Sequence, residues 1–419
     1  MVREPVRLPR LKAAAGLLAL AALLCAPPPS LAVFVREEAD LVDSEPLFDA
    51  EYFLDLLAFS YPLSWDRRWD RSERGLRMNA ASLDRTDLLL DQELRLPQRL
   101  NEWLGFRYDL VRRGDKDLDA LQQRLSLDLG PWKGLSAGLF GEPSFAKQDS
   151  DIGLRLAWSP APLWSCSGSV AAVDFDFNAR GKTDARYDRK PYTYALSGAY
   201  RAGTRRLRAA LELDSPLVLQ FPDADRSYAY RRTRLDLLWE EGGRQEPETS
   251  GDWLLRTRYS YEYQRETDRY LPDPSDLSQD FRREAHTLTL AGSRWSGADE
   301  LEAGARGILR DARSTHPASP SADRRRRRWE AMPYCRWRRR LRPWAVSETA
   351  FFLSAGENRA HAPAGAPSDL RTPVRAKLGL GVDFPFAERG VIGLNSNFDL
   401  VDATRHPWDG GNVRAMFLF

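Results

Sequence analysis

Past residue 25 the chain contains no long apolar run, and its 419 residues include only three cysteines and four histidines. The first absence excludes a polytopic helical membrane protein, because each crossing needs about 20 consecutive apolar residues. The mean hydropathy of −0.52 agrees with that exclusion. The histidines, His286, His316, His361 and His406, are too far apart in sequence to form a metal motif. Neither a glycine-rich phosphate cradle nor a dinucleotide fingerprint is present, so no cofactor is expected. Of the cysteines, Cys25 lies in the first apolar stretch. Cys166 and Cys335 fall on distant strands of the pattern described below and are expected to be free, buried thiols. Charge of one sign is also lacking: 62 basic residues stand against 60 acidic ones, a net of +2. That balance gives no reason to expect a nucleic-acid partner.

The N-terminus has the form of an export signal. Arg3, Arg7, Arg10 and Lys12 precede an apolar core at Ala13–Cys25, too short to span a bilayer comfortably, and Ser30-Leu31-Ala32 offers the small residues a signal peptidase reads. Cleavage is expected near Ala32. Residues 1–32 hold four basic residues and one acidic residue, so their loss takes the net charge from +2 to −1. Residues 33–74 carry little strand pattern and are expected to be a periplasmic leader or a small plug. Within them, Ser44–Phe59 reads as a short buried helix, with Ser44 as its N-cap and Pro46 in its first turn.

From residue 75 to residue 419, apolar residues recur at every second position in runs broken by turn chemistry. In VRAKLGLGVDF, Val374, Ala376, Leu378, Leu380, Val382 and Phe384 share one face; Arg375, Lys377 and Asp383 share the other. About eighteen such segments can be marked. Short connections such as GPWKG (130–134), SPAP (159–162) and RAGT (201–204) alternate with mostly longer ones. Trp103, Trp132, Trp158, Trp164, Trp239, Trp253, Trp295, Trp337 and Trp344 gather at the short turns, whereas Tyr and Phe, including Tyr228, Tyr230, Tyr261 and Phe351, gather near the longer loops. Two aromatic girdles with alternating loop lengths define a transmembrane antiparallel β-barrel of about 16–18 strands, closed because lipid offers no partner to an open sheet edge. The pattern departs from the rule at two places: the first outer connections, near 84–86 and 113–118, are short, and Pro333 interrupts one strand.

The chain ends GNVRAMFLF, with Val413, Ala415, Phe417 and Phe419 alternating. This ending resembles the C-terminal strand of bacterial outer-membrane β-barrel proteins of Gram-negative cells. The resemblance implies that Phe417 and Phe419 form an assembly signal read by the barrel-assembly machinery. It also implies residence in the cell outer membrane, among lipid and lipopolysaccharide.

Pleat parity places several charges inward. Arg206 and Arg208, Arg232 and Arg234, and Arg256 and Arg258 would form a basic ladder on three successive strands, extended by Arg201 and answered by Glu212, Asp236 and Glu262, with Arg375 and Lys377 also lining the lumen. Asp91 and Glu93, with Asp109 and Asp128, would face it as an acidic wall. A lumen lined this way selects by size and charge. The expected function is a porin-like channel for passive diffusion or uptake of small polar solutes, anionic ones included. A closed structural barrel with a salt-bridged interior is the alternative. The run DRRRRRWE (Asp323–Glu330) could bind lipopolysaccharide phosphates, but more simply it is a solvated, mobile loop. An outer-membrane lipid or peptide hydrolase would need His316, His361 or His406, expected on outer loops. His286 does not fit a phospholipase pattern, because Leu288 stands where a serine would share its strand face. The chain is therefore read as a non-enzyme. Oligomeric state is left open by the sequence.

Overall fold

A computed structural model describes residue 54 and residues 56–419, apart from segments 84–86, 115–118, 143–150, 174–185, 190, 222–224, 244–251, 271–277, 319–322, 362–368, 372–373, 387–388 and 402–406. The signal segment, most of the leader, Phe177 and His406 lie outside the described residues. Helix α1 (Leu63–Arg71) precedes the strands. The strands are β1 (Gly75–Leu83), β2 (Asp87–Arg99), β3 (Leu104–Gly114), β4 (Asp119–Trp132), β5 (Leu135–Glu142), β6 (Asp151–Ala161) and β7 (Trp164–Ala172). They continue as β8 (Arg186–Arg189), β9 (Tyr192–Ala202), β10 (Arg205–Asp214), β11 (Leu217–Phe221), β12 (Arg226–Gly242), β13 (Trp253–Tyr270) and β14 (Gln279–Ser296). The last are β15 (Asp299–Thr315), β16 (Arg324–Arg342), β17 (Ala345–His361), β18 (Asp369–Arg371), β19 (Val374–Phe386), β20 (Gly390–Asp399) and β21 (Trp408–Leu418).

Every pairing is antiparallel and joins neighbours around one sheet. β8 and β9 are two halves of one stave, as are β10 and β11, and β18 and β19, because each pair shares its neighbouring strands. The barrel therefore has 18 staves. It closes where β1 meets β21, with Leu76 opposite Phe417 and Met78 opposite Ala415. The apolar last strand thus has its partner in the first. Strand starts agree with the sequence pattern to within a few residues, including the first hairpin, where β1 and β2 pair along their whole length.

Pro333 does not end β16. It sits opposite Ala305 of β15, and the ladder to β17 skips from Ala331 to Tyr334. The missing N–H therefore costs pairing on one side only, and the rest of this 19-residue strand carries it across the gap.

Short turns and both strand-forming termini lie at one end of the barrel. Lys133 (φ 50) and Gly134 (φ 82) both sit in the left-handed region, the geometry of a two-residue hairpin turn. In barrels of this kind the short turns face the periplasm and the longer connections face outward.

Candidate functional site: the barrel lumen

The outer wall is apolar and uncovered. Leu154, Leu156 and Leu196 are each 60% exposed, and Trp103, Trp132, Trp158, Trp164, Trp253, Trp337 and Trp344 are exposed beside the short turns. A belt of this extent has lipid as its natural cover. Three aromatic expectations change on inspection of parity. Trp295 points inward and is buried, on the same face of β14 as Ala291 and Ser293. Tyr228 and Tyr230 share the inward face of β12 with Arg232 and Arg234. Neither cysteine is buried in protein: both are free and exposed, because Cys166 and Cys335 occupy outward positions between Trp and Leu of the belt.

The chain entering the barrel lies inside it. Helix α1, LSWDRRWDR, begins after Pro62, whose φ of −56 suits a helix start. Asp66 in its first turn and Arg68 and Arg71 in its last complement the helix dipole. Leu63, Trp65 and Trp69 are buried. The expected helix over Ser44–Phe59 falls mostly outside the described residues, although residues 54 and 56–58 are helical. Leu54, Leu57, Ala58 and Leu63 pack against Leu254, Ala291, Trp295, Ile308, Met332, Tyr334 and Phe352 of the inner wall.

Polar contacts pin this segment on all sides. On one wall, Arg336 donates to the carbonyl oxygens of Leu57 (2.8 Å) and Tyr61 (3.1 Å). The Leu63 amide donates to Glu302 at 2.8 Å. On the closing strands, the Asn79 side chain donates to the Phe59 carbonyl at 3.1 Å, and the Tyr61 hydroxyl donates to the Ala415 carbonyl at 2.8 Å. At the helix end, Asp70 pairs with Arg256, Trp69 donates to Glu93 at 3.2 Å, and the Arg95 guanidinium lies 4.5 Å from the centre of the Trp69 ring. Burial, and then the neighbouring Arg67, lower the Arg71 guanidinium to about 10. Glu240, 1% exposed, is the anion near these cations, 3.6 Å from both Arg206 and Arg256.

Below the segment runs a buried charge network. Arg414 pairs with Glu348 (2.7 Å) and Asp383 (3.0 Å). Arg338 pairs with Glu300 (2.6 Å) and Asp383 (2.8 Å), and Arg336 with Glu302 (3.4 Å). All three arginines are buried. Charges so far from water persist only when paired and hydrogen-bonded. Sequence parity puts each of these residues inward, but their convergence depends on register across strands distant in sequence.

Every ladder residue expected in the lumen sits on the inner face, but basic and acidic walls do not form. Arg206 is held by Glu240 and by the Asp70 carbonyl (3.1 Å). Arg232 pairs with Glu212 (3.0 Å) and Asp214 (3.1 Å), Arg234 with Glu262 (3.0 Å), and Arg258 with Asp236 (2.8 Å). Arg375 lies 3.7 Å from Asp399, and Lys377 2.5 Å from Asp409. On the side expected to be acidic, Glu93 is answered by Arg77 (3.1 Å) and Arg95 (2.6 Å), and Asp91 faces Arg113 at 3.8 Å. Both signs thus occur on the same staves, as in β12 with Arg232, Arg234 and Asp236 and in β2 with Glu93 and Arg95. Arg208, exposed, makes no ion pair among the described residues.

Burial is uneven around the lumen. The inner faces of β14–β17 and β19–β21 are packed. The inner faces of β3–β13 keep accessible charge: Arg258 is 58% exposed, Arg234 48%, Arg155 36% and Arg107 33%, with Asp236, Glu212 and Asp128 beside them. An eccentric, water-lined wall remains beside the inserted segment.

Other candidates are placed elsewhere. Arg324–Arg328 is not a loop. It is the start of β16, and alternation turns Arg325 and Arg327 outward and Arg328 inward. His361 closes β17, so it is a strand residue, and the His316 amide donates to Asp323 at 2.8 Å. His286 faces outward beside Tyr261, with the Tyr259 hydroxyl 2.9 Å from its Nδ1.

A closed antiparallel barrel with an apolar exterior and a charged interior has the architecture of an outer-membrane β-barrel. No family model and no curated protein sequence matches the chain. Among solved structures, it is similar to OccK10 (OpdN) of Pseudomonas aeruginosa, at 12% identity and a TM-score of 0.38 over 83% of this chain and 98% of that one. OccK2 (OpdF) of the same organism, solved in complex with glucuronate, gives 12% identity and a TM-score of 0.35 over 83% and 98% of the two chains. OmpT, an outer membrane protein of Vibrio cholerae, gives 10% identity and a TM-score of 0.37 over 83% and 96%. Values this low carry no information on solute or mechanism. The class rests on the strand pairing and the two faces of the wall.

Proposed function

We propose that the chain is a non-enzymatic outer-membrane channel for small polar solutes, which cross along the water-lined wall of β3–β13. The observation that carries this is the contrast between the two halves of the lumen. One half is packed by residues 54–71, while the other keeps partly exposed Arg107, Arg155, Arg234 and Arg258 in reach of water. Side chains alone do not fill a barrel of this strand number. Paired charges at each level give a zwitterionic surface that replaces the hydration of a polar solute without trapping either sign. Arg208 and the protruding Arg258 tilt the balance toward anions. Residues 54–71 act as a fixed plug that narrows the periplasmic half.

A second reading, a closed structural barrel, is favoured by the density of contacts to that segment. Conductance of the refolded chain in a planar bilayer separates the two: steady channel events support the pore, and silence from a folded, heat-modifiable protein supports the closed barrel.

A further inference from the structure

One row of residues on the outer wall has a charge pattern that the channel does not explain. In register across β12, β13, β14, β15, β16 and β17, Arg231 stands opposite Arg265, Arg265 opposite Arg282, Arg282 opposite Arg313, Arg313 opposite Arg325, and Arg325 opposite His361. All six are on the outward face, shared with exposed Leu237, Leu255, Leu288, Leu309, Trp329 and Phe351. With strands about 4.8 Å apart, the row spans about 24 Å of the circumference. Like charges directly opposite one another in a sheet are destabilising, and here four Arg–Arg pairings run consecutively.

The protein answers only part of this charge. Asp280 reaches Arg265 (2.8 Å) and Arg282 (3.8 Å), and Asp311 reaches Arg325 (2.5 Å). Arg231 lies over the Tyr263 ring at 5.7 Å. Arg313 is exposed and makes no ion pair among the described residues. Five arginines therefore share two carboxylates. The level of the row matters as much as its charge. It stands toward the long connections, with one outward row (Tyr263, Glu284, Asp311, Arg327 and Arg359) between it and the row of Leu309 and Trp329 that begins the apolar belt, at the level where the headgroups of the outer leaflet lie against a barrel. Directly beneath it is a cleft of about 400 Å³ lined by Arg327, Arg359 and Trp329 together with the carboxylates of Glu284, Asp311 and Glu357.

We propose that this row binds the phosphate groups of an outer-leaflet lipid, a glycolipid bearing more than one phosphate, with its acyl chains on the Leu288–Leu309–Trp329 belt. Guanidinium forks match phosphate oxygens in pairs. Arg265 and Arg325 already give their forks to Asp280 and Asp311, so Arg231, Arg282 and Arg313 present that match across the row. The apolar surface below favours a lipid over a free anion. The proposal is independent of whether the lumen conducts.

The test uses the refolded full chain in detergent micelles, titrated with purified lipopolysaccharide, with the same material after enzymatic dephosphorylation, and with inorganic phosphate. Wild-type protein is expected to bind the phosphorylated lipid at least tenfold more tightly than the dephosphorylated one, with inorganic phosphate a poor competitor. Arg282→Gln with Arg313→Gln is expected to lose that preference, while the luminal pair Arg234→Gln with Arg258→Gln keeps it. Heat-modifiable migration reports folding of each variant, and the comparison of the two lipids on wild-type protein needs no variant at all. Equal affinity for both lipids would overturn the proposal, as would undiminished preference in a folded Arg282/Arg313 variant. Full competition by low-millimolar inorganic phosphate would also overturn it, by showing a free-anion site.

Discussion

Arg336 donates from Nη2 to the carbonyl oxygen of Leu57 at 2.8 Å, tying the entering chain to a stave 279 residues further along. The same guanidinium meets Glu302 and the Tyr61 carbonyl, and it is 1% exposed. The inserted segment is therefore a structural part of the wall, and its contacts make separable predictions.

Replacing Arg336 alone leaves the buried Glu302 carboxylate without the cation it pairs with. Breaking a buried pair in this way costs about 3–5 kcal/mol. Arg336→Met is expected to lower the temperature of heat-modifiable unfolding and to expose residues 54–71 to protease. Arg336→Met with Glu302→Gln should recover most of the unfolding temperature, because no buried charge is then left over. Thermal migration shifts of the refolded variants check both.

At the far end of α1, Asp70 pairs with Arg256, and Glu240 lies 3.6 Å from that arginine. Asp70→Asn with Arg256→Gln removes this anchor without leaving an unpaired ion at it. The expected result is a rise in unit conductance or in its fluctuation, read in planar bilayers, with the barrel still heat-modifiable.

Gly393 lies against the network of Arg414 and Asp383, so that an added Cβ would meet the Asp383 carboxylate and the Arg414 side chain. Gly393→Val is expected to cost more stability than Gly307→Val, because a Cβ at Gly307 meets nothing within 4 Å. Urea unfolding followed by tryptophan fluorescence distinguishes them.

The barrel was legible because a strand writes its two faces into alternate residues. β19 shows this: Val374 and Leu380 are exposed outward, and Lys377 and Asp383 are buried inward, as alternation requires. What alternation cannot give is register. It put Arg232 and Arg234 in the lumen with Glu212, Asp236 and Glu262 to answer them, but not which acid meets which arginine: Asp214 also reaches Arg232, and Glu262 is shared by Arg234 and Arg283. Helix α1 went unread for a related reason. Its nine residues include five charges, and much of what holds it, Glu302 and Arg256 included, lies on distant strands. Trp295 misled because its nearness to a short turn outweighed its parity.

Phe417 lies on the closing strand opposite Leu76 and packs beside the cluster of Leu76, Leu94 and Leu110 on the outer face. Phe417→Ala, and separately deletion of Phe419, are expected to reduce the yield of assembled barrel in cells several-fold. Refolding yield in detergent should change less, since the closing ladder itself remains. Comparing the two yields separates recognition during assembly from intrinsic stability.

The most direct test of a conducting lumen is the reversal potential of single channels under a salt gradient, for wild-type protein and for Arg234→Glu with Arg258→Glu. These side chains stay 48% and 58% exposed on the open wall. Discrete channels with a mild anion preference, inverting to cation preference in the double variant, are the predicted result. Silence from folded wild-type protein and from the Asp70/Arg256 variant alike, or a reversal potential that the double variant leaves unmoved, would contradict the account.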